Sequence, residues 1–155
     1  MASLNLTLFL GIMHNIVNGI NVARQLAYIK QKYPQFETEL SKSGKLLLVK
    51  GALKPTARSC YYKFRIEFQV GRRPKVYIVN PVLVKNDSGE MPPHLYGDGS
   101  LCLYLPRTGQ FSDGHWLGDT ILPWVSLWLI YYENWSVNGY VWNGGGVHAG
   151  KVEDY

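Results

Sequence analysis

Tyr62, Phe64, Ile66, Phe68 and Val70 alternate with Lys63, Arg65, Glu67 and Gln69. That two-residue period belongs to a strand with one face in a core and the other in water. A Leu and Val run from Lys45 to Leu53 precedes it. Lys75 to Val84 follows across the turn Gly71-Arg72-Arg73-Pro74, with Val76 and Ile78 continuing the inward set. Connections this short between sequential strands imply an antiparallel meander. Ahead of the strands, apolar positions recur at helical spacing. Phe9, Ile12, Met13, Ile16, Val17 and Ile20 fill one side, and Thr7, Gly11, His14, Asn18, Asn21 and Gln25 the other. Gly19 is a candidate break, and a second helical piece, Val22 to Lys32, should end before Pro34.

Residues 85–119 are different. They gather Gly, Pro, Asp and Ser without a sustained period, and an irregular segment this long in a compact domain usually carries function. A helix then runs from a cap at Asp119 or Thr120 through Trp135, with Pro123 tolerable in its first turn. It is apolar on nearly every side and has Glu133 as its one formal charge, so most of it must be buried.

A length of 155 residues, 46% of them hydrophobic and 17% charged, suits one domain over residues 1–155 and excludes long disorder. No run reaches the roughly 18 apolar residues of a membrane span, and the uncharged N-terminal stretch lacks the basic start of a secretory signal. Its polar side also carries no Lys or Arg for lipid headgroups. A cytoplasmic protein is expected. Two cysteines, Cys60 and Cys102, make a disulfide framework improbable.

The net charge of +5 hides a division. Residues 1–85 hold fourteen Lys and Arg against three Asp and Glu, and residues 86–155 hold two against eight. The basic residues are spread over a helix and alternate strand positions rather than interleaved with aromatics, which favours an acidic protein partner over nucleic acid.

Cys102 lies in Gly99-Ser100-Leu101-Cys102-Leu103-Tyr104-Leu105-Pro106, after His94-Leu95-Tyr96-Gly97-Asp98. A cysteine between two leucines fits a small buried hydrophobe, whereas a thiol in a polar, glycine-rich loop is open to another molecule. A cysteine hydrolase would pair Cys102 with His115 or His148. The alternating Leu101, Leu103 and Leu105, with Pro106 close behind, oppose the helix that a papain-like nucleophile opens. A zinc deaminase needs His-x-Glu with Pro-Cys-x-x-Cys, and neither is present. No metal or cofactor is expected. Near the end, Gly144-Gly145-Gly146 leaves backbone unshielded, so it is either a plain turn or a place where another chain lies, with His148 beside it.

A helix, a meander ending in Pro74-Lys75-Val76, a histidine in an extended loop, Gly99-Ser100-Leu101-Cys102-Leu103, then Trp116 and Asp119-Thr120-Ile121 before an apolar helix follow in order. This series, over about residues 20–138, resembles the ubiquitin-conjugating enzyme family. It is most similar to the compact bacterial members of type II short CBASS antiphage operons, which stand beside a cGAS-like nucleotidyltransferase (CD-NTase). The resemblance implies an α+β, UBC-like fold with an N-terminal helix, an antiparallel meander of about four strands, a long active-site loop and a buried helix in the C-terminal half. It implies that Cys102 forms a thioester with the C-terminal glycine of the CD-NTase and promotes its conjugation, with His94 as the loop histidine. Non-catalytic variants of the family act as scaffolds, which is the alternative role. The family usually reads His-Pro-Asn, whereas His94 is followed by Leu95 and Tyr96. The asparagine's task, supporting charge on the thioester oxygen, falls to His94, His115 or a backbone N–H of the Gly97 to Ser100 turn. Asp113 reads as a solvated loop acid rather than a partner for an incoming lysine.

Overall fold

The computed structural model describes residues 19–144. In chain order these form helix α1 (Val22–Lys32), strands β1 (Glu37–Leu40), β2 (Leu47–Leu53), β3 (Tyr62–Phe68) and β4 (Lys75–Asn80), and helix α2 (Ile121–Val137). The four strands make one antiparallel sheet in sequential order. The architecture is α+β and consistent with a UBC-like fold. The amphipathic stripe expected before Gly19 lies outside the described residues, as do Gly145, Gly146 and His148.

Helix α1 begins where Asn21 accepts the Arg24 amide at 2.9 Å and ends with Lys30 and Lys32 beside its carbonyl terminus, as the helix dipole favours. Its burial departs from the sequence pattern at one position. Gln25, expected on the polar side, is fully buried. Its amide donates to the His115 carbonyl at 2.8 Å and its oxygen accepts the Leu117 amide at 3.0 Å, so a polar residue faces inward because it splices α1 to a distant loop.

Register places Leu47 opposite Phe68, Val49 opposite Ile66, and Ile66 opposite Val76, which puts one apolar face of β2, β3 and β4 into the core. The strands are shorter than the apolar runs suggest. The turn after β3 starts at Gln69, whose carbonyl takes the Arg72 amide, so Val70 swings into solvent. Strand β4 stops at Asn80 because Pro81 has no N–H for the ladder. Strand β1 carries no alternating signature because it is an exposed edge. Gly51 in β2 is required by packing, since a Cβ there would stand 2.4 Å from the Phe36 ring. That ring meets Phe64 edge-on and stacks on Tyr33.

Helix α2 covers the core with Ile121, Leu122, Val125, Trp128, Leu129, Tyr132 and Trp135. Its other side keeps Leu127, Ile130 and Val137 in solvent, so the all-round apolar pattern overstated its burial. Thr120 occupies the N-cap position without capping through its side chain. Its hydroxyl donates backwards to the Trp116 carbonyl at 2.7 Å. Among the described residues no helix is long and apolar enough to cross a membrane.

Candidate functional site

Residues 94–102 fold back on themselves. The Cys102 amide donates to the His94 carbonyl at 2.8 Å, Tyr96 donates to Ser100 at 2.8 Å, and Leu95 bridges Leu101 in antiparallel fashion. Gly99, at φ +81°, closes the turn between them by donating to Tyr96. The Leu101 amide ties this miniature ladder to the Val76 carbonyl of β4 at 2.8 Å. Strand alternation then assigns the faces. Leu101 is buried in the core, while Cys102 and His94 line one groove. Cys102 is half-buried, with Sγ 3.9 Å from the Tyr104 carbonyl. His94 is held at φ +58°, and its carbonyl also receives the indole N–H of Trp128 at 3.1 Å. Both cysteines are unpaired thiols, Cys60 being exposed.

Behind the turn lies a charged network. Asp98 accepts the Ser100 hydroxyl at 2.6 Å and amide at 2.9 Å on one oxygen and Lys75 at 2.8 Å on the other. Burial works against its ionisation, but the hydrogen bonds from Lys75 and from the hydroxyl and amide of Ser100 outweigh that and hold the carboxyl well below its ordinary range. Arg73, whose side chain is 3% exposed, donates to the Ser100 hydroxyl at 2.9 Å, and its guanidinium carbon sits 3.7 Å over the centre of the Tyr96 ring. Burial pushes the Tyr96 phenol up, and the neighbouring Cys102 pushes it further.

The thiol lines a groove of about 410 Å³. His94, Cys102 and Tyr104 line it together with Trp124, Leu127, Trp128, Tyr131 and Trp142. Trp142 braces it, with ring centres 5.2 Å from His94, 5.6 Å from Trp128 and 6.0 Å from Tyr131. Gly144 lies against this wall, where a Cβ would come within 2.5 Å of the Trp142 indole nitrogen and 2.9 Å of Tyr131. The first glycine of the run is thus a packing requirement.

The structure brings Cys102 and His94 to one groove and leaves the other candidates elsewhere. His115 accepts the Ser112 amide on Nδ1 at 3.0 Å and does not line the groove. Asp113 accepts the Gly71 amide at 3.1 Å and packs against Gly19, so this half-exposed loop acid also staples two loops. In the Gly97 to Ser100 turn, the Gly99 and Ser100 amides are engaged within the turn itself. Sequence reasoning missed Tyr96, Arg73 and the aromatic wall. The available signals were an arginine directly before Pro74, and the spacing of Trp124, Trp128 and Tyr131, which share one helix face.

A family model described as a type II CBASS E2 protein matches residues 25–149. Comparison with curated proteins gives no match.

Proposed function

The chain belongs to the type II CBASS E2 protein family, and from that premise we propose that Cys102 carries the C-terminal glycine of a CD-NTase as a thioester and passes it to a nucleophile. The observation that carries this reading is the half-buried Cys102 thiol lining, with His94, an aromatic groove of about 410 Å³. In loading, the sulfur attacks the activated C-terminal carbonyl, the C–S bond forms, and the former leaving group departs with its electron pair. Exchange between two thiols is close to thermoneutral, so the site needs positioning more than a strong base. The ladder that fixes Cys102 against His94, tied in turn to β4, supplies positioning of that kind.

His94 acts here through its backbone, which fixes the loop, and through its ring, which walls the groove against Trp142. The partner docks through the basic first half of the chain. On the sheet Lys50 pairs with Arg65, and Lys63 follows along β3, interleaved with Glu37 opposite Lys50 and Glu67 ion-paired to Arg65, so this face offers cations among acids.

The test is to incubate the protein with a CD-NTase and an activating source for its C-terminus, then resolve the mixture with and without thiol reductant. A reductant-sensitive adduct lost in Cys102→Ala is the expected result. A complex that stays non-covalent points to a scaffold, cleavage of the CD-NTase to a hydrolase, and either outcome overturns the proposal.

A further inference from the structure

Arg107 is the one Lys or Arg between residues 86 and 150, in the acidic part of the chain. Its backbone stands at φ +63°, a conformation that a residue with a long side chain rarely adopts. The loop around it is pinned, the Thr108 hydroxyl donating to the Leu105 carbonyl at 2.6 Å and the Leu105 amide to the Gln110 side chain at 2.9 Å. A cavity of about 300 Å³ is lined by this arginine together with Arg72 and Arg73 from the turn after β3. Against those three guanidinium groups, the described lining holds one carboxylate, Asp113, which accepts the Gly71 amide.

This basic cavity adjoins the thiol groove through one side chain, since Tyr104 lines both. Its ring centre lies 5.8 Å from that of Trp124, which lines the groove, and 5.6 Å from that of Phe111, which lines the cavity. We infer that Arg72 and Arg107 form a carboxylate-binding subsite beside the Cys102 groove, selecting acyl donors whose tail carries an Asp or Glu side chain upstream of the terminal glycine. The inference rests on the reading of Cys102 as an acyl carrier and gives that carrier a substrate preference.

The chemistry of the two cavities is complementary. Among the described residues the groove lining holds no Lys or Arg, so an acidic side chain on a tail seated there meets its counter-charge across Tyr104. A guanidinium presents paired N–H donors that match a carboxylate. Arg73 is 3% exposed and committed to Ser100 and to the Tyr96 ring, so it adds positive charge while the exposed Arg72 and Arg107 supply the contact. Backbone strain at a residue other than glycine is characteristic of ligand clamps, and Arg107 carries it. The cations of the sheet differ, because Glu37 and Glu67 already stand among them.

Acylation of Cys102 by peptide thioesters tests the subsite without an activating enzyme. The probes are short acetylated peptides ending in a glycine benzyl thioester, with a single Glu moved through the upstream positions and a matching Gln peptide for each. The Cys102 sulfur forms the new C–S bond, and benzyl thiolate leaves with its electron pair. In a Cys60→Ser background, intact mass gives the second-order rate for each probe. At one or two positions the Glu peptide is expected to react about fivefold faster than its Gln twin, as a partly exposed charge pair allows. That ratio should shrink in about 0.5 M NaCl. Arg72→Gln combined with Arg107→Gln is expected to bring it to about one, and Arg107→Lys, which keeps the charge without the planar fork, to an intermediate value. A ratio near one at every position in the parent, or a Glu preference that survives the double substitution, overturns the subsite and leaves the acyl-carrier reading standing. A Glu preference lost with the arginines, in a protein that forms no reductant-sensitive adduct with a CD-NTase, supports the subsite and overturns the acyl-carrier reading alone.

Discussion

The indole N–H of Trp128 donates to the carbonyl of His94, the same oxygen that receives the Cys102 amide. A core residue of α2 thereby reaches through the packing to hold the loop residue that faces the thiol. Trp128→Phe keeps an aromatic ring and removes the donor. The expected cost is about 1 kcal/mol in denaturant unfolding, the usual net value of a hydrogen bond. Faster amide exchange at Cys102 than in the parent should accompany it, while exchange in the sheet stays unchanged.

Gly51→Ala tests the close approach of Phe36 to β2. The added methyl falls 2.4 Å from the ring, so the ring must leave its place between Tyr33 and Phe64. Overpacking of this kind costs about 1–3 kcal/mol, measurable as a lower denaturant midpoint with an unchanged slope.

Gln25→Leu replaces the buried splice by a residue of similar size. It leaves the Leu117 amide and the His115 carbonyl unpaired, at about 1–3 kcal/mol for a buried polar group without its partner. Chemical denaturation of Gln25→Leu beside Gln25→Glu checks this. The second variant keeps the acceptor for Leu117 and should lose less at a pH low enough to protonate it.

Asp98 sets an acid-side dependence. Its folded carboxyl titrates below the ordinary range, so the unfolded chain takes up this proton first. The stabilisation is fully present above about pH 4, where the unfolded carboxylate is ionised, and declines as pH falls toward the lower folded value. Asp98→Asn is expected to flatten the acid limb of the stability curve, read as melting temperature against pH. Unaltered steepness in that variant would count against the network around Ser100 and Lys75.

Cys102→Ser provides a chemical prediction for the proposed carrier. An oxyester is less reactive than a thioester, so the adduct with the CD-NTase should form slowly and persist through thiol reductant. Hydroxide treatment should release it, as followed by gel shift.

The period-two pattern of Tyr62 to Phe68 and the proline after Lys32 made the sheet core and α1 readable, because each rests on local periodicity or on a local stop signal. Strand β1 was not legible, since an exposed edge has no buried face to leave an alternation. Cys102 and His94 stood out as residue types in a motif. Tyr96 and Arg73 did not, because their meaning comes from contact across 23 residues of chain, where a turn arginine is ordinarily solvated. Gln25 misled for the same reason: its partners, His115 and Leu117, are some ninety residues away.

The bridge between Leu95 and Leu101 fixes more than a turn. Neighbouring side chains along such a segment point to opposite sides, so sliding either arm by one position would drive the sulfur into the interior and bring Leu101 out to water. The thiol and the oil beneath it are therefore a single parity choice, and any variant that loosens the hydrophobic half also misaims the proposed carrier.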